Sequence, residues 1–161
     1  MPANTIYLSL GSNLGNRAGN LRAGIVALGE ANVRVTKASS FYETEPVDYL
    51  EQPWFLNCVL QAETSLAPVD LLHALRAIES RLGSKKEFAK GPRLLDMDIL
   101  LFGEETIDSP ELQIPHPRML QRNFVLAPLA EIAPDLRHPS WSGTAQQMFA
   151  RSSGQGGIRK L

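Results

Sequence analysis

Two helix-spaced apolar stripes, each bracketed by strand-like runs, restrict this chain to few folds. Leu21, Ile25 and Leu28 recur at helical spacing, as do Leu71, Leu75, Ile78 and Leu82. Thr5 to Leu10 is a predicted strand before the first stripe, closed by a turn over Gly11–Asn16. Val33 to Tyr42 and Trp54 to Glu63 are strands between the stripes, and the run after Gly91-Pro92 is a strand beyond the second, closed by Gly103. Pro68 suits the first turn of the second helix and Gly83 its end. The order β-α-β-β-α-β is the split-βαβ or ferredoxin-like pattern of α+β proteins. Its helices are expected over one face of an antiparallel sheet. Thr106–Ile114 reads as a short strand or hairpin, Pro115-His116-Pro117 as a break, and Phe124–Ile132 and Thr144–Ala150 as short helices. The stretch 152–161 carries three glycines and reads as a mobile tail on a single domain spanning 1–161.

The 161 residues are 43% hydrophobic with a net charge of −1, which suits one globular core and argues against a general nucleic-acid binder. Basic residues concentrate between 81 and 93 and again between 116 and 122, a pattern suited to a small anionic ligand. The single cysteine, Cys58, lies in an apolar run and is expected in the core. It admits no intrachain disulfide, which fits a reducing compartment. There is no signal-like N-terminus and no membrane-length apolar run. The expectation is a cytoplasmic monomer that acts on small molecules and binds neither nucleic acid nor membrane.

Asp96 and Asp98 are the residues richest in chemical meaning. Residues two apart on a strand share a face, so the two carboxylates project together, about 7 Å apart at their bases. Leu100 and Phe102 are expected to continue that face. Two like charges at this range call for a cation, and hard oxygen ligands suit Mg²⁺ sharing a phosphate. A solvated strand end is the plain alternative for an isolated Asp-x-Asp. Lys85, Lys86, Lys90 and Arg93 lie just upstream and weigh toward the phosphate. On the third strand, Phe55, Asn57 and Val59 share a face. An aromatic plate beside a carboxamide can stack a flat heterocycle and read its edge; the alternative is a core Phe55 and an Asn57 at a strand end. His116, Arg118 and Arg122 can each donate to phosphate. Gly11-Ser12-Asn13 lacks the lysine and spacing of a P-loop and reads as a plain turn. His73 is assigned no role. Two long irregular segments, 43–53 and 84–93, are candidate binding loops that could close over the acid pair.

Taken together, YLSLGSNLG (7–15), SFYET (40–44), FLN (55–57), GPRLLDMDILLFG (91–103), IPHPRM (114–119) and RNF (122–124) resemble the 6-hydroxymethyl-7,8-dihydropterin pyrophosphokinases of folate biosynthesis. The likeness runs in order from residue 5 to about 140. It implies transfer of a pyrophosphoryl group from ATP to the hydroxymethyl oxygen of the dihydropterin, with release of AMP. It makes Asp96 and Asp98 ligands of two Mg²⁺ ions that bridge the carboxylates and the triphosphate. It makes Arg93, His116 and Arg122 phosphate or nucleotide contacts, with Lys85 and Lys86 adding charge and Ile99 near adenine. Phe55 and Phe124 become the plates that sandwich the pterin, Asn57 reads the ring edge, and backbone near Thr44 and Val47 assists.

The chain departs from the family pattern in three places. Ala89 and Lys90 stand where a Trp preceded by arginines is common, in a loop about one residue shorter. Phe55 replaces a common Tyr, which keeps the stacking plate and loses a hydroxyl. Arg76 replaces a frequent Gln on the second helix. Three other readings stay open at the level of sequence: an RNA-binding module, a small-molecule sensor, and a transferase acting on another heterocycle.

Overall fold

The computed structural model describes residues 3–46, 51–83, 93–152 and 157–161. Its strands are β1 (Asn4–Ser12), β2 (Val33–Ala38), β3 (Tyr42–Thr44), β4 (Phe55–Thr64), β5 (Asp96–Phe102), β6 (Ile107–Asp108), β7 (Gln113–Ile114) and β8 (Ile158–Lys160). Its helices are α1 (Arg17–Glu30), α2 (Pro68–Arg81), α3 (Asn123–Ile132) and α4 (Ala145–Arg151). The main sheet is antiparallel in order β5-β1-β4-β3-β8, with β2 also on β4, and β6 and β7 form the expected hairpin. The predicted ferredoxin-like core is therefore present, with β1 central between β4 and β5.

Strand alternation divides the sheet. Ile6, Leu8 and Leu10 of β1, Leu56, Cys58, Leu60 and Ala62 of β4, and Met97 and Ile99 of β5 bury against Leu21 and Leu28 of α1 and Leu71, Leu75 and Ile78 of α2. Cys58 is fully buried as expected, and burial pushes its thiol up to about 12. Helices do not stop at that face. Tyr7, Val59, Leu100 and Leu101 on the opposite face pack with Met119, Val125, Leu129 and Ala145, so α3 and α4 form a further layer. The expected cover of α1 and α2 on one face is thus present, and the C-terminal helices lie on the other. Half of the second face lies under α3, and the acidic and carboxamide residues occupy the other half.

Several boundaries differ from the sequence reading for local reasons. Gly11 and Ser12 belong to β1, paired with Asn57 and Leu56, and are not a turn. The predicted strand 33–42 is two strands along one edge of β4. Between them the Ser39 hydroxyl accepts from Val59 N at 2.9 Å, while Ser39 N donates to Val59 O at 2.9 Å. A side chain thus takes a ladder position, and Glu131 of α3 binds the next residue through Ser40 N and Oγ. Glu43 and Thr44 lie in β3, not in an irregular segment. Phe102 leaves the Asp96/Asp98 face for the helix-covered core because the β1–β5 register slips between Tyr7/Leu101 and Leu8/Ile99, a bulge that places one extra residue on β5. The stretch 152–161 is not wholly a mobile tail, since 158–160 form β8 against β3.

The helices end where their sequences allow. Asn16 caps α1 by accepting from Gly19 N at 2.9 Å. Gly83, at φ +87, follows α2 in a backbone region that suits glycine. Thr144 and Gln147 form a reciprocal capping box on α4. Among the described residues no helix is long and apolar enough to cross a membrane.

Leu60 is fully buried in the helix-side core, while Val26 of α1 is 66% exposed. Leu60→Ala is expected to lower stability by about 2–5 kcal/mol, and Val26→Ala by less than about 0.5 kcal/mol. Urea titration with an unchanged slope would check both, and equal losses would contradict this division of the sheet.

Candidate active site

The acid pair stands at the start of β5, an edge strand of the main sheet. Arg93, only 12% exposed, donates from Nη1 to Asp96 Oδ1 at 2.8 Å. Its buried Nε has no hydrogen-bond partner among the described residues, which leaves donor capacity beside the carboxylate. Arg76 Nη2 lies 3.7 Å from Asp98. Burial, and then repulsion from Asp96, push the Asp98 carboxyl up to about 6 against the opposing pull of Arg76. Such a carboxylate gains from an added cation. Among the described residues no group of three or more His, Cys, Asp or Glu side chains forms a cage. Asp96 and Asp98 could therefore hold a hard cation whose remaining ligands come from a phosphate or water.

At Met97 the outer edge of β5 is met by side chains of α2. Met97, between the two aspartates, donates its N–H to Glu79 Oε2 at 2.7 Å, and its carbonyl accepts from Arg76 Nη1 at 2.8 Å. The same Arg76 nitrogen donates to Glu79 Oε2 at 2.9 Å. Glu79 is buried, and burial raises its pKa against the Arg76 charge. Sequence reading missed Glu79. Its spacing to Arg76 looks like an ordinary exposed pair on a helix, and only the fold brings it under a strand edge.

On the same face, across β1, lies the carboxamide. Asn57 is buried, and its Nδ2 donates to Thr44 Oγ1 on β3. Gly11 is the Cα partner of Asn57 on one side and of Asp96 on the other. A Cβ at Gly11 would lie 2.6 Å from Asn57 Oδ1 and 3.5 Å from the Phe55 ring. The glycine therefore lets the Asn57 amide and the Phe55 ring lie close over β1, beside the acid pair. Phe55 is half-buried beside it. Phe124, at the start of α3, carries the Arg122 guanidinium 5.4 Å from its ring centre.

Asn13 has a role that the turn reading missed. Its side chain is buried, its Nδ2 donates to Gln52 Oε1 at 2.9 Å and Pro53 O at 3.0 Å, and its Oδ1 accepts from Arg93 N at 2.7 Å. One amide thus joins the segments that lead into β4 and β5.

A cavity of about 310 Å³ opens beside Asp98, lined among others by Leu72, Arg76, Ile99, Leu112 and His116. Ile99 reaches it from the helix-side core. His116 is tied by its N–H to Leu100 O at 3.0 Å, and its Nδ1 accepts from Arg118 N at 3.2 Å. Burial, with Arg122 and Arg118 next, lowers its pKa to about 4. His116 is therefore neutral near pH 7, with Nε2–H as its donor. The fold thus brings together Asp96, Asp98, Arg93, Asn57, Thr44 and Phe55 around the β1 end, with Ile99 and His116 at the cavity and Arg122 and Phe124 at the start of α3. Lys85, Lys86, Lys90 and Val47, together with most of the proposed 84–93 lid, lie outside the described residues.

Comparison with known proteins agrees. A family model describing 7,8-dihydro-6-hydroxymethylpterin-pyrophosphokinase (HPPK) matches residues 7–134. A 2-amino-4-hydroxy-6-hydroxymethyldihydropteridine pyrophosphokinase of Bacillus subtilis is 47% identical over 149 residues, which is 92% of this chain and 89% of that protein. Its counterpart in Pseudomonas aeruginosa is 45% identical over 135 residues, 83% of each chain. The HPPK-DHPS crystal structure of Plasmodium falciparum with pterin and p-hydroxybenzoate superposes with a TM-score of 0.76 over 94% of this chain and 42% of that one, at 17% identity, and so supports the fold. With a family match over most of its length and two relatives above 40% identity, the chain belongs to the 7,8-dihydro-6-hydroxymethylpterin-pyrophosphokinase family.

Proposed function

We propose that the open half of the second sheet face is where this chain joins two substrates, with ATP on the β5 side and the dihydropterin on the β4 side. The reaction is the family's: a pyrophosphoryl group passes from ATP to the hydroxymethyl oxygen of 6-hydroxymethyl-7,8-dihydropterin, in folate synthesis. The new bond joins that oxygen to the β-phosphorus, the bond from the β-phosphorus to AMP breaks, and the hydroxyl proton is lost. Family membership supports this reaction over the RNA-binding and sensing alternatives. The observation that carries the assignment of sides is Gly11, paired with Asn57 on one edge and Asp96 on the other.

On the β4 side, Asn57 offers a donor and an acceptor to the pterin edge, its amide oriented by Thr44. Phe55 and Phe124 supply stacking plates, and Val47 backbone assists. On the β5 side, the cavity by Ile99 suits the nucleoside, with neutral His116 as a donor. Arg93, Arg122, Lys85 and Lys86 counter triphosphate charge. Asp96 and Asp98 would hold Mg²⁺, two ions in the full reading, and when bound there the metal would neutralise phosphate charge around the reacting phosphorus. Burial, and then repulsion from Asp96, raise the Asp98 pKa, and a bound cation would offset both. The small substrates and lone cysteine fit a cytoplasmic monomer.

Asp96→Asn and Asp98→Asn are expected to fold and to lose at least about two orders of magnitude in turnover, as for loss of a group that stabilises transition-state charge. The assay is AMP release from ATP with Mg²⁺ and hydroxymethyl-dihydropterin, and near-normal release by both variants would remove the metal assignment.

Asn57→Ala is expected to cost about 1–3 kcal/mol of pterin affinity, the penalty for leaving ring-edge groups unpaired. ATP affinity should hardly change. Calorimetry that found pterin binding intact would return Asn57 to a structural role.

The acid pair also sets a pH dependence. Between its ordinary value of 3.8 and about 6, Asp98 keeps a proton in the folded chain that the unfolded chain has lost. The metal-free protein therefore loses this contribution to stability as pH rises through that window. His116 acts with the opposite sign between about 4 and 6.5, so the metal-induced difference isolates Asp98. Mg²⁺ should raise the melting temperature more at pH 8 than at pH 5, and equal shifts would contradict an Asp98 ligand.

A further inference from the structure

We propose that β8 is a strap that positions the pterin half of the site, with Arg159 as its fastening residue. The proposal rests on the reading of Thr44, Phe55 and Asn57 as pterin contacts. It concerns residues beyond the 7–134 that match the family.

The strap reaches the pocket through one short strand. Tyr42, Glu43 and Thr44 of β3 pair with Asn57, Leu56 and Phe55 on one edge and with Lys160, Arg159 and Ile158 on the other. Thr44, which orients the Asn57 amide, thus sits between the pterin floor and β8. A strand of three residues has little ladder of its own, so its position depends on what pairs with both edges.

The strap also holds both ends of the connection from β3 to β4. Glu45 N donates to Gly157 O at 2.9 Å, and Gly157 N donates to a Glu45 carboxylate oxygen at 3.3 Å. A Cβ at Gly157 would come within 3.1 Å of the Trp54 ring, so the same backbone lies against the residue just before Phe55. Arg17 completes the clamp by donating to Trp54 O at 3.0 Å and Glu43 Oε2 at 2.8 Å. Arg159 takes the other Glu43 oxygen. The carboxylate between two guanidiniums is held below its usual range, chiefly by the Arg17 hydrogen bond. Beyond the strand, Leu161 N donates to Phe41 O at 2.9 Å.

This wiring predicts a one-sided effect. In the order β5-β1-β4-β3-β8, the nucleotide cavity beside β5 lies at the far edge from the strap. Loosening β8 should disturb pterin binding and leave ATP binding alone.

The test compares R159A, R159E, R159K and G157P in the full chain, with calorimetry for the pterin and for a non-hydrolysable ATP analogue, steady-state kinetics, and hydrogen exchange at 42–46 and 54–57. Arg159 is 70% exposed, so R159A should weaken pterin binding by about two- to fivefold, the scale of an exposed ion pair. R159E and G157P should weaken it further, the first by repulsion from Glu43 and the second by removing the N–H that Glu45 accepts. KM for pterin should rise with kcat little changed, R159K should restore most of the loss, and exchange should speed up in both segments. An unchanged ATP affinity reports intact folding. Normal pterin affinity in R159E and G157P, or equal losses for both substrates, would overturn the strap. Normal pterin affinity in N57A would instead overturn the pocket assignment on which the strap depends.

Discussion

The face of β1 that turns away from α1 and α2 carries Tyr7, Ser9 and Gly11, a descending series of side-chain sizes. Tyr7 fills the space under α3 with Val59, Leu100 and Leu101. Ser9 lies between Val59 and Asp98, and Gly11 between Asn57 and Asp96. One strand therefore passes from apolar core to a polar neighbourhood of Asn57, Asp96 and Asp98 in five residues. The helix-side face of the same strand is apolar through its middle, with Ile6, Leu8 and Leu10 completely buried. The fold is held by one face while the other is relieved of packing at one end. A larger residue at Gly11 would collide with the Asn57 amide and displace it.

The second requirement is electrostatic. Two carboxylates on an edge strand repel one another and sit beside backbone groups that lack a neighbouring strand. The Arg76–Glu79 pair on α2 answers the backbone of Met97, and Arg93 and Arg76 share out the two aspartates. Arg76 thus touches the strand backbone, the Glu79 carboxylate and the Asp98 carboxylate at once. Burial of Asp98 and its repulsion from Asp96 leave this balance incomplete.

Much of this was legible from period and spacing. Residues two apart on a strand share a face, which was enough to group Asp96 with Asp98 and Phe55 with Asn57, and helical spacing was enough to find α1 and α2. What escaped had physical reasons. The bulge in β5 that turns Phe102 inward adds one residue without a composition signal. The break between β2 and β3 depends on Ser39 and Ser40 meeting Val59 and Glu131, partners distant in sequence. The apolar stripe of α3 says that the helix is buried, not which layer it joins. Three residues of β8 among glycines carry no strand period, and they become a strand only because β3 offers an edge. Glu79 and Asn13 were missed for the same reason, since each acts on backbone that only the fold brings near.

The side chain of Asn13 divides its labour. Its amide nitrogen serves Gln52 and Pro53, and its oxygen serves Arg93. No other residue type of that length carries both functions: an aspartate would keep the acceptor and lose the donor, and a leucine would lose both. The approach to β4 and the approach to β5 therefore share a single planar group as their common hinge pin. A disturbance that tilts this plane reaches the starts of both strands together, so the two approaches are mechanically geared through one residue.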